Sequence, residues 1–322
     1  MPETEANRCA EAIVTADVWG VGSHGLMRLP YYLARLLEGG YAAGAELHAV
    51  RDTGPLLALD GAGGLGHAQL WEAAELATER AGQYGIAAAS VGNSGHCGAL
   101  GVYTLPMIRA GRVGVVFSNG PAVMPPWQGS SPVLSTSPLA FGFPVDGTHA
   151  IIDLATSAVA RGKIAAHARG GEQLPEGWAV DADGNPTTDA TAALHGMLAP
   201  LGGAKGFALA FAVEALSGGL VGGLSGDVVD MFAPSRAAEP QGVAHLVLAL
   251  DPQLVSPTGD PGERLRALAD SVTGAGGRVP GAGKVDPAGV PDDRPLEIAA
   301  DVRTELASWA ERLGVTVDDA WT

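Results

Sequence analysis

Two histidines stand in short glycine-flanked runs, His24 in Gly22-Ser23-His24-Gly25 and His96 in Gly95-His96-Cys97-Gly98. Flanking glycines let backbone approach a ligand closely, and an imidazole that titrates near neutral pH is well suited to give or take a proton. A single histidine is ordinarily a satisfied core or surface residue; two in matching surroundings point to function. Arg28 and Tyr32 follow at i, i+4 helical spacing, so a guanidinium and a phenol can converge on one small carboxylate. On spacing alone, an arginine packed along a tyrosine ring is an equally good reading. Asp153 closes an apolar run, where it can orient a histidine or cap a helix beginning near Thr156; capping is the default. Cys97 is read as a packing residue, because neighbours on a helix point about 100° apart and cannot pair with each other.

The elements that must position these groups follow from periodicity and breakers. Helices are expected over 6–18, 26–38 (Pro30 in its first turn, Gly39-Gly40 at its end), 67–83, from the 95–101 run towards Arg109, 156–169, 205–216 and 296–313. Strands are expected over 56–59, 86–91, 113–117, 151–152 and 245–250, with turns at Asn119-Gly120 and 181–186. The stretch 121–143 is rich in Pro, Ser and Gly and predicts irregular structure, and 253–294 predicts an ordered wrap or a partly mobile arm. This alternation predicts a mixed α/β enzyme fold in three segments: 1–60 with the Ser-His-Gly motif, a core over 61–250, and a C-terminal arm and helix over 251–322.

The composition narrows the partners. The chain has 322 residues, 47% of them apolar, which is enough for a large core. Its net charge of -16, spread along the chain, opposes binding to nucleic acid or an anionic membrane, so a small molecule is the expected partner. The run 206–226 carries one charge, Glu214, but that carboxylate and the glycines after Ser217 argue against a membrane span; 205–216 reads as a helix buried on most faces. Two cysteines make no disulfide framework, the acidic N-terminus does not resemble a signal peptide, and a reducing cytoplasm is expected. No metal-binding motif is present, and no metal is expected.

The run Gly61-Ala62-Gly63-Gly64-Leu65-Gly66 satisfies G-x-G-x-x-G between a strand and a helix, yet 86–92 offers no acidic residue for ribose hydroxyls. It is read as a structural turn. The run ending at Lys284 fails as a phosphate loop because Val285 stands where Ser or Thr is needed.

The run from Asp17 to Tyr32, DVWGVGSHGLMRLPYY, resembles the opening signature of the malate/L-lactate dehydrogenase family of NAD(P)-dependent oxidoreductases, which is distinct from the Rossmann-type lactate and malate dehydrogenases. The likeness continues through Gly95-His96-Cys97-Gly98, Asn119-Gly120-Pro121, Pro126-Trp127, Thr136-Ser137-Pro138, Asp153-Leu154-Ala155-Thr156, Arg161-Gly162-Lys163, Gly177-Trp178 and Lys205-Gly206. It implies an intertwined α/β fold with a non-Rossmann nucleotide site, NAD or NADP as cofactor, a carboxylate substrate, and a homodimer with active sites near the subunit contact. His96 matches the family's acid/base histidine, and Ser23, His24, Arg28 and Tyr32 match its substrate-receiving stretch. His24, Asn119, Ser137, Asp153, Leu154, Ala155, Lys205 and Gly206 match regions lining the cofactor. Ser137 stands where the family often has Asn, and 280–283 lacks an acidic residue that often follows Pro-Gly. Three functions are consistent with these motifs: reduction of a 2-oxo acid to a 2-hydroxy acid, reduction of a cyclic imino acid of the piperideine-2-carboxylate type, and a catalytically silent cofactor-binding homologue.

Overall fold

The apolar runs at 86–94, 113–118 and 243–250 pair with one another to form the middle of a seven-stranded sheet. The computed structural model describes residues 1–145, 148–291 and 293–316, so the last residues of the C-terminal segment, 317–322, lie outside it. The sheet contains β1 (His48–Asp52), β2 (Leu56–Asp60), β3 (Ile86–Ser94), β4 (Val113–Ser118), β5 (Leu139–Val145), β6 (Thr148–Leu154) and, from much later in the chain, β10 (Val243–Leu250). Their order is β1-β2-β3-β10-β4-β5-β6, and only β2 and β3 run parallel. Among the described residues there is therefore no parallel, doubly wound sheet of the Rossmann type. β7 (Ala179–Val180), β8 (Pro186–Thr187) and β9 (Met197–Leu198) form a separate small sheet, with the expected turn at 181–186 held by Asp181 accepting the N–H groups of Asp183 and Asn185.

Helix α1 (Glu3–Val18) packs on α3 (Gly66–Tyr84), which covers the sheet over β3 and β10. Small residues face each other there, Ala73, Ala77 and Ala81 on the helix against Ala87, Ala89 and Ala249 on the strands, so the two layers approach closely. Helix α2 (Leu29–Glu38) has Pro30 in its first turn and ends at Gly39 in a left-handed conformation, as expected. A second core around Met124, Leu134, Ile164 and Leu198 joins the small sheet to α5 (Arg161–Gly170), α6 (Ala190–His195) and α7 (Ala204–Glu214).

Five expectations need correction. The 121–143 stretch, expected to be irregular, ends in a regular strand, because β5 from Leu139 onward pairs with β4 and β6 on its two sides. The run after Gly98 forms a 3-10 turn, Leu100–Thr104, before the short α4 (Leu105–Arg109), so Cys97 lies outside any helix. Helix α5 starts at Arg161, because Ala158 and Leu201 form backbone hydrogen bonds that knit 156–158 to 199–201. Helix α7 is exposed along one side, with Phe211 61% and Leu209 40% accessible. The 253–294 stretch contains α8 (Pro252–Val255) and a full helix, α9 (Pro261–Gly274), capped by Asp260. Helix α9 packs on β5 and α10 (Ala300–Leu313) on α2, which returns the C-terminal segment to the main body. Among the described residues no helix is long and apolar enough to cross a membrane.

Candidate active site

The His24 loop is fastened from the end of α1. The Asp17 carboxylate accepts the Leu26 N–H at 2.8 Å, and a Cβ at Gly25 would lie 2.2 Å from Asp17 Oδ1, so only glycine fits this close approach. Two 3-10 turns, Gly22–His24 and Leu26–Arg28, then lead into α2. Ser23 Oγ lies 2.9 Å from His24 Nδ1, and Arg28 Nε donates to the Ser23 carbonyl at 2.7 Å.

The His96 loop leaves the end of β3 and is held from more directions. The His96 N–H donates to Gln241 Oε1 at 2.7 Å, and the same oxygen accepts the Tyr41 hydroxyl at 2.6 Å. The Tyr32 hydroxyl is 2.8 Å from His96 Nδ1, and the Gly98 N–H donates to that nitrogen at 3.2 Å. With Nδ1 accepting, the neutral ring carries its proton on Nε2. The start of α3 presses on this loop, since a Cβ at Gly66 would lie 2.0 Å from the Gly95 carbonyl oxygen.

The two loops meet. The His24 and His96 rings stack with centroids 6.1 Å apart, and Tyr32 stacks on His96 at 5.9 Å. Asp153 caps no helix; it accepts the Gly101 N–H at 2.8 Å, and its charge bears on His24 and on Lys284. Burial lowers the His24 pKa, Asp153 opposes that shift, and Arg28 adds to it. Burial drives His96 well below the usual range, and the neighbouring His24 and His67 and the Arg28 guanidinium add to that shift. His67, behind Tyr32 with ring centroids 4.6 Å apart, is fully buried and its pKa is pushed down to about 3. Burial pushes the Cys97 thiol up to about 12, which suits a packing residue and not a nucleophile.

Ser23, His24, Arg28, Tyr32, His96 and Asp153 are thus brought together. The remaining candidates lie elsewhere. Asn119 is 5% exposed, and its amide bridges the fold, accepting the Ala244 N–H at 2.9 Å and donating to the Gly223 carbonyl at 2.6 Å. Ser137 is wholly buried at a φ of 41°, with its hydroxyl turned to the Ser135 carbonyl. Ser137, Leu154, Ala155, Lys205 and Gly206 belong to neighbouring segments, since the Thr156 N–H bonds to the Thr136 carbonyl and the Leu201 N–H to the Thr156 carbonyl. Lys205 is exposed on the first turn of α7, whereas Gly206 packs against the Leu201 backbone. Sequence reasoning missed Gln241, Tyr41, His67 and Phe232, whose signal is spatial: Gln241 is 145 positions from His96.

The donor set fits a dinucleotide. The chain has three lysines, Lys163, Lys205 and Lys284. Among the described residues none of them forms an ion pair, although acids outnumber bases 35 to 19 and several arginines are paired. Lys163 and Lys205, without an ion pair in so acidic a chain, suit phosphate groups, while Lys284 lies over the Trp19 ring at 5.3 Å and within the field of Asp153. Lys284 also lines a cleft of about 420 Å³ with Trp19 and residues 278–283. The 61–66 turn takes no part: the N–H groups of Gly61, Gly63 and Gly64 bond to the carbonyls of Gly92, Asn93 and Gly61.

A family model described as malate/L-lactate dehydrogenase matches residues 1–305. The chain is 41% identical over 257 residues to a (2R)-3-sulfolactate dehydrogenase (NADP(+)) of Chromohalobacter salexigens, covering 78% of this chain and 75% of that one. It is 36% identical over 282 residues to a Delta(1)-pyrroline-2-carboxylate/Delta(1)-piperideine-2-carboxylate reductase of Pseudomonas aeruginosa, covering 86% and 84%. Among solved structures, the sulfolactate dehydrogenase of Methanocaldococcus jannaschii superposes with a TM-score of 0.86 at 29% identity over 98% of this chain and 92% of that one. With its stacked histidines, its predominantly antiparallel sheet and this agreement along nearly its full length, the chain belongs to the malate/L-lactate dehydrogenase family of NAD(P)-dependent oxidoreductases.

Proposed function

We propose that the protein reduces a small 2-oxo acid to the 2-hydroxy acid, with Arg28 holding the carboxylate and the His24–His96 pair facing the carbonyl oxygen. The observation that carries this reading is the stacked pair itself, with Arg28 close enough to bias both rings. Bound NADH or NADPH supplies the hydride to the 2-oxo carbon, and Lys205, Lys284 and the 153–155 segment would hold it. The two histidines then take different parts. His24 is the better proton donor, because Asp153 favours its charged form and Ser23 orients its Nδ1. In this reading His96, with Tyr32 and Gly98 at its Nδ1, polarises the carbonyl through its Nε2–H, whereas the family resemblance alone would give it the proton transfer. The planar Arg28 fork fixes which face of the carbonyl meets the cofactor.

A cyclic imino acid presents the same carboxylate beside a C=N bond, and the likeness to the Pseudomonas aeruginosa reductase favours it as the second reading. A silent homologue is disfavoured by the complete set of site side chains. The working form is a homodimer: Ala204, Ala208, Phe211 and Ala212 lie along an exposed side of α7, and Leu220 beyond it is 76% accessible. Two buried free thiols suit a reducing cytoplasm. The test is a panel of 2-oxo acids, including the sulfonated one that gives sulfolactate, and cyclic imino acids, each with NADH and NADPH. Light scattering follows the same samples. We expect a dimer that consumes cofactor with at least one class; a protein that binds NADPH and turns over neither would defeat the proposal.

A further inference from the structure

Phe232 lies outside every motif in the sequence, in a turn between α7 and β10. Asp230 builds that turn, its carboxylate accepting the Phe232 N–H at 2.9 Å and its carbonyl the Ala233 N–H at 3.2 Å. Met231 anchors the turn in a buried cluster with Tyr32, Tyr41 and Leu65, and the next side chain, Phe232, is left 45% exposed. The far end of the segment is tied to α2, where the buried Arg35 donates to the carbonyls of Arg236 and Glu239.

The exposed ring faces Arg28. The Arg28 Cζ lies 4.5 Å from the Phe232 ring centroid, and Tyr31 meets the same ring edge-on at 5.1 Å. On another edge Arg28 Nε is fixed to the Ser23 carbonyl. Among the described residues the two terminal nitrogens of Arg28 make no hydrogen bond, so the guanidinium is held by its face and one edge while its outer fork stays open. This is the arrangement a bidentate carboxylate contact needs, and it places the fork before substrate arrives.

We infer that Phe232 is a positioning residue for the substrate carboxylate, acting through Arg28. The inference rests on the proposed role of Arg28 as the carboxylate clamp. The substitution Phe232→Leu keeps an apolar side chain and removes the aromatic face, and Phe232→Tyr keeps the face. For any carboxylate substrate that the wild type reduces, Phe232→Leu should raise KM on the order of 3- to 10-fold, with kcat within about twofold and cofactor KM and melting temperature unchanged. Phe232→Tyr should restore the wild-type KM. Arg28→Lys, measured beside them, separates two failures. If Arg28→Lys raises KM and Phe232→Leu does not, the role of Phe232 is wrong and the clamp stands. If Arg28→Lys leaves KM unchanged, the clamp is wrong and the role of Phe232 falls with it. A loss of kcat and melting temperature together in Phe232→Leu would reduce the ring to packing and overturn the inference.

Discussion

The loops around His24 and His96 look alike in sequence and differ in construction. His96 is fixed through its backbone by Gln241 and through its ring by Tyr32 and Gly98, with α3 pressed against the loop behind it. The His24 ring is held locally by Ser23, in a loop that Asp17 fastens at Leu26, and it has a carboxylate acting in its favour. A half-buried ring, fastened at its backbone and at Nδ1 and close to the Arg28 guanidinium, is suited to stay neutral. A ring with an acidic neighbour and a serine on Nδ1 can exchange a proton. Glycine flanks therefore mark two imidazoles that meet in space, but the difference between them is set by what packs behind them.

The sharpest way to break this comparison is to remove each ring. His24→Ala should lower kcat by roughly 10²–10⁴ and abolish the pH dependence of reduction. In the wild type, reduction should fall as pH rises through the His24 pKa, which burial sets below the usual histidine value in the free protein. His96→Ala should lose a comparable factor while keeping that pH limb. A limb that vanishes with His96 and persists without His24 would reverse the assignment.

A second test probes the scaffold behind His96. With its pKa near 3, folded His67 refuses a proton that the unfolded chain accepts below about 6.5, so stability should fall as pH drops from about 6.5 to 3. The loss is on the order of 3–5 kcal/mol across that window. Urea titrations of His67→Gln should show a shallower dependence of unfolding free energy on pH, and an unchanged slope would mean that His67 titrates normally. The smallest effect is expected from Tyr32→Phe, which removes the hydroxyl at His96 Nδ1 but leaves the Gly98 N–H in place. A drop in kcat of about 5- to 10-fold is expected, and wild-type turnover would show that Gly98 alone suffices.

Much of this architecture was legible along the chain. Helices α1 to α3 and strands β2, β3, β4 and β10 carry their own periodicity or apolar runs. β1 does not, because all five residues of this edge strand are exposed and leave no alternation to read. α9 was hidden by the glycines and prolines on either side, although Asp260 and Pro261 form an ordinary helix start. Asp153 was misread because a carboxylate before a presumed helix resembles a cap, while its partner, the Gly101 N–H, is 52 positions away. In the site, the chemistry-bearing residues sit in motifs, but Gln241, His67 and Phe232 act only through contacts made by folding.

The scarcity of lysine has a practical consequence. An amine-acylating reagent meets only three side chains in this protein besides the N-terminal amine, and each lies in a segment of the proposed nucleotide site or of the positively charged start of α5. The mass of the labelled chain then counts how many of these amines are free. Under the proposed assignment, bound cofactor should shield Lys205 and Lys284 from the label, so the labelled mass should fall as cofactor is titrated in, before any substrate has been identified.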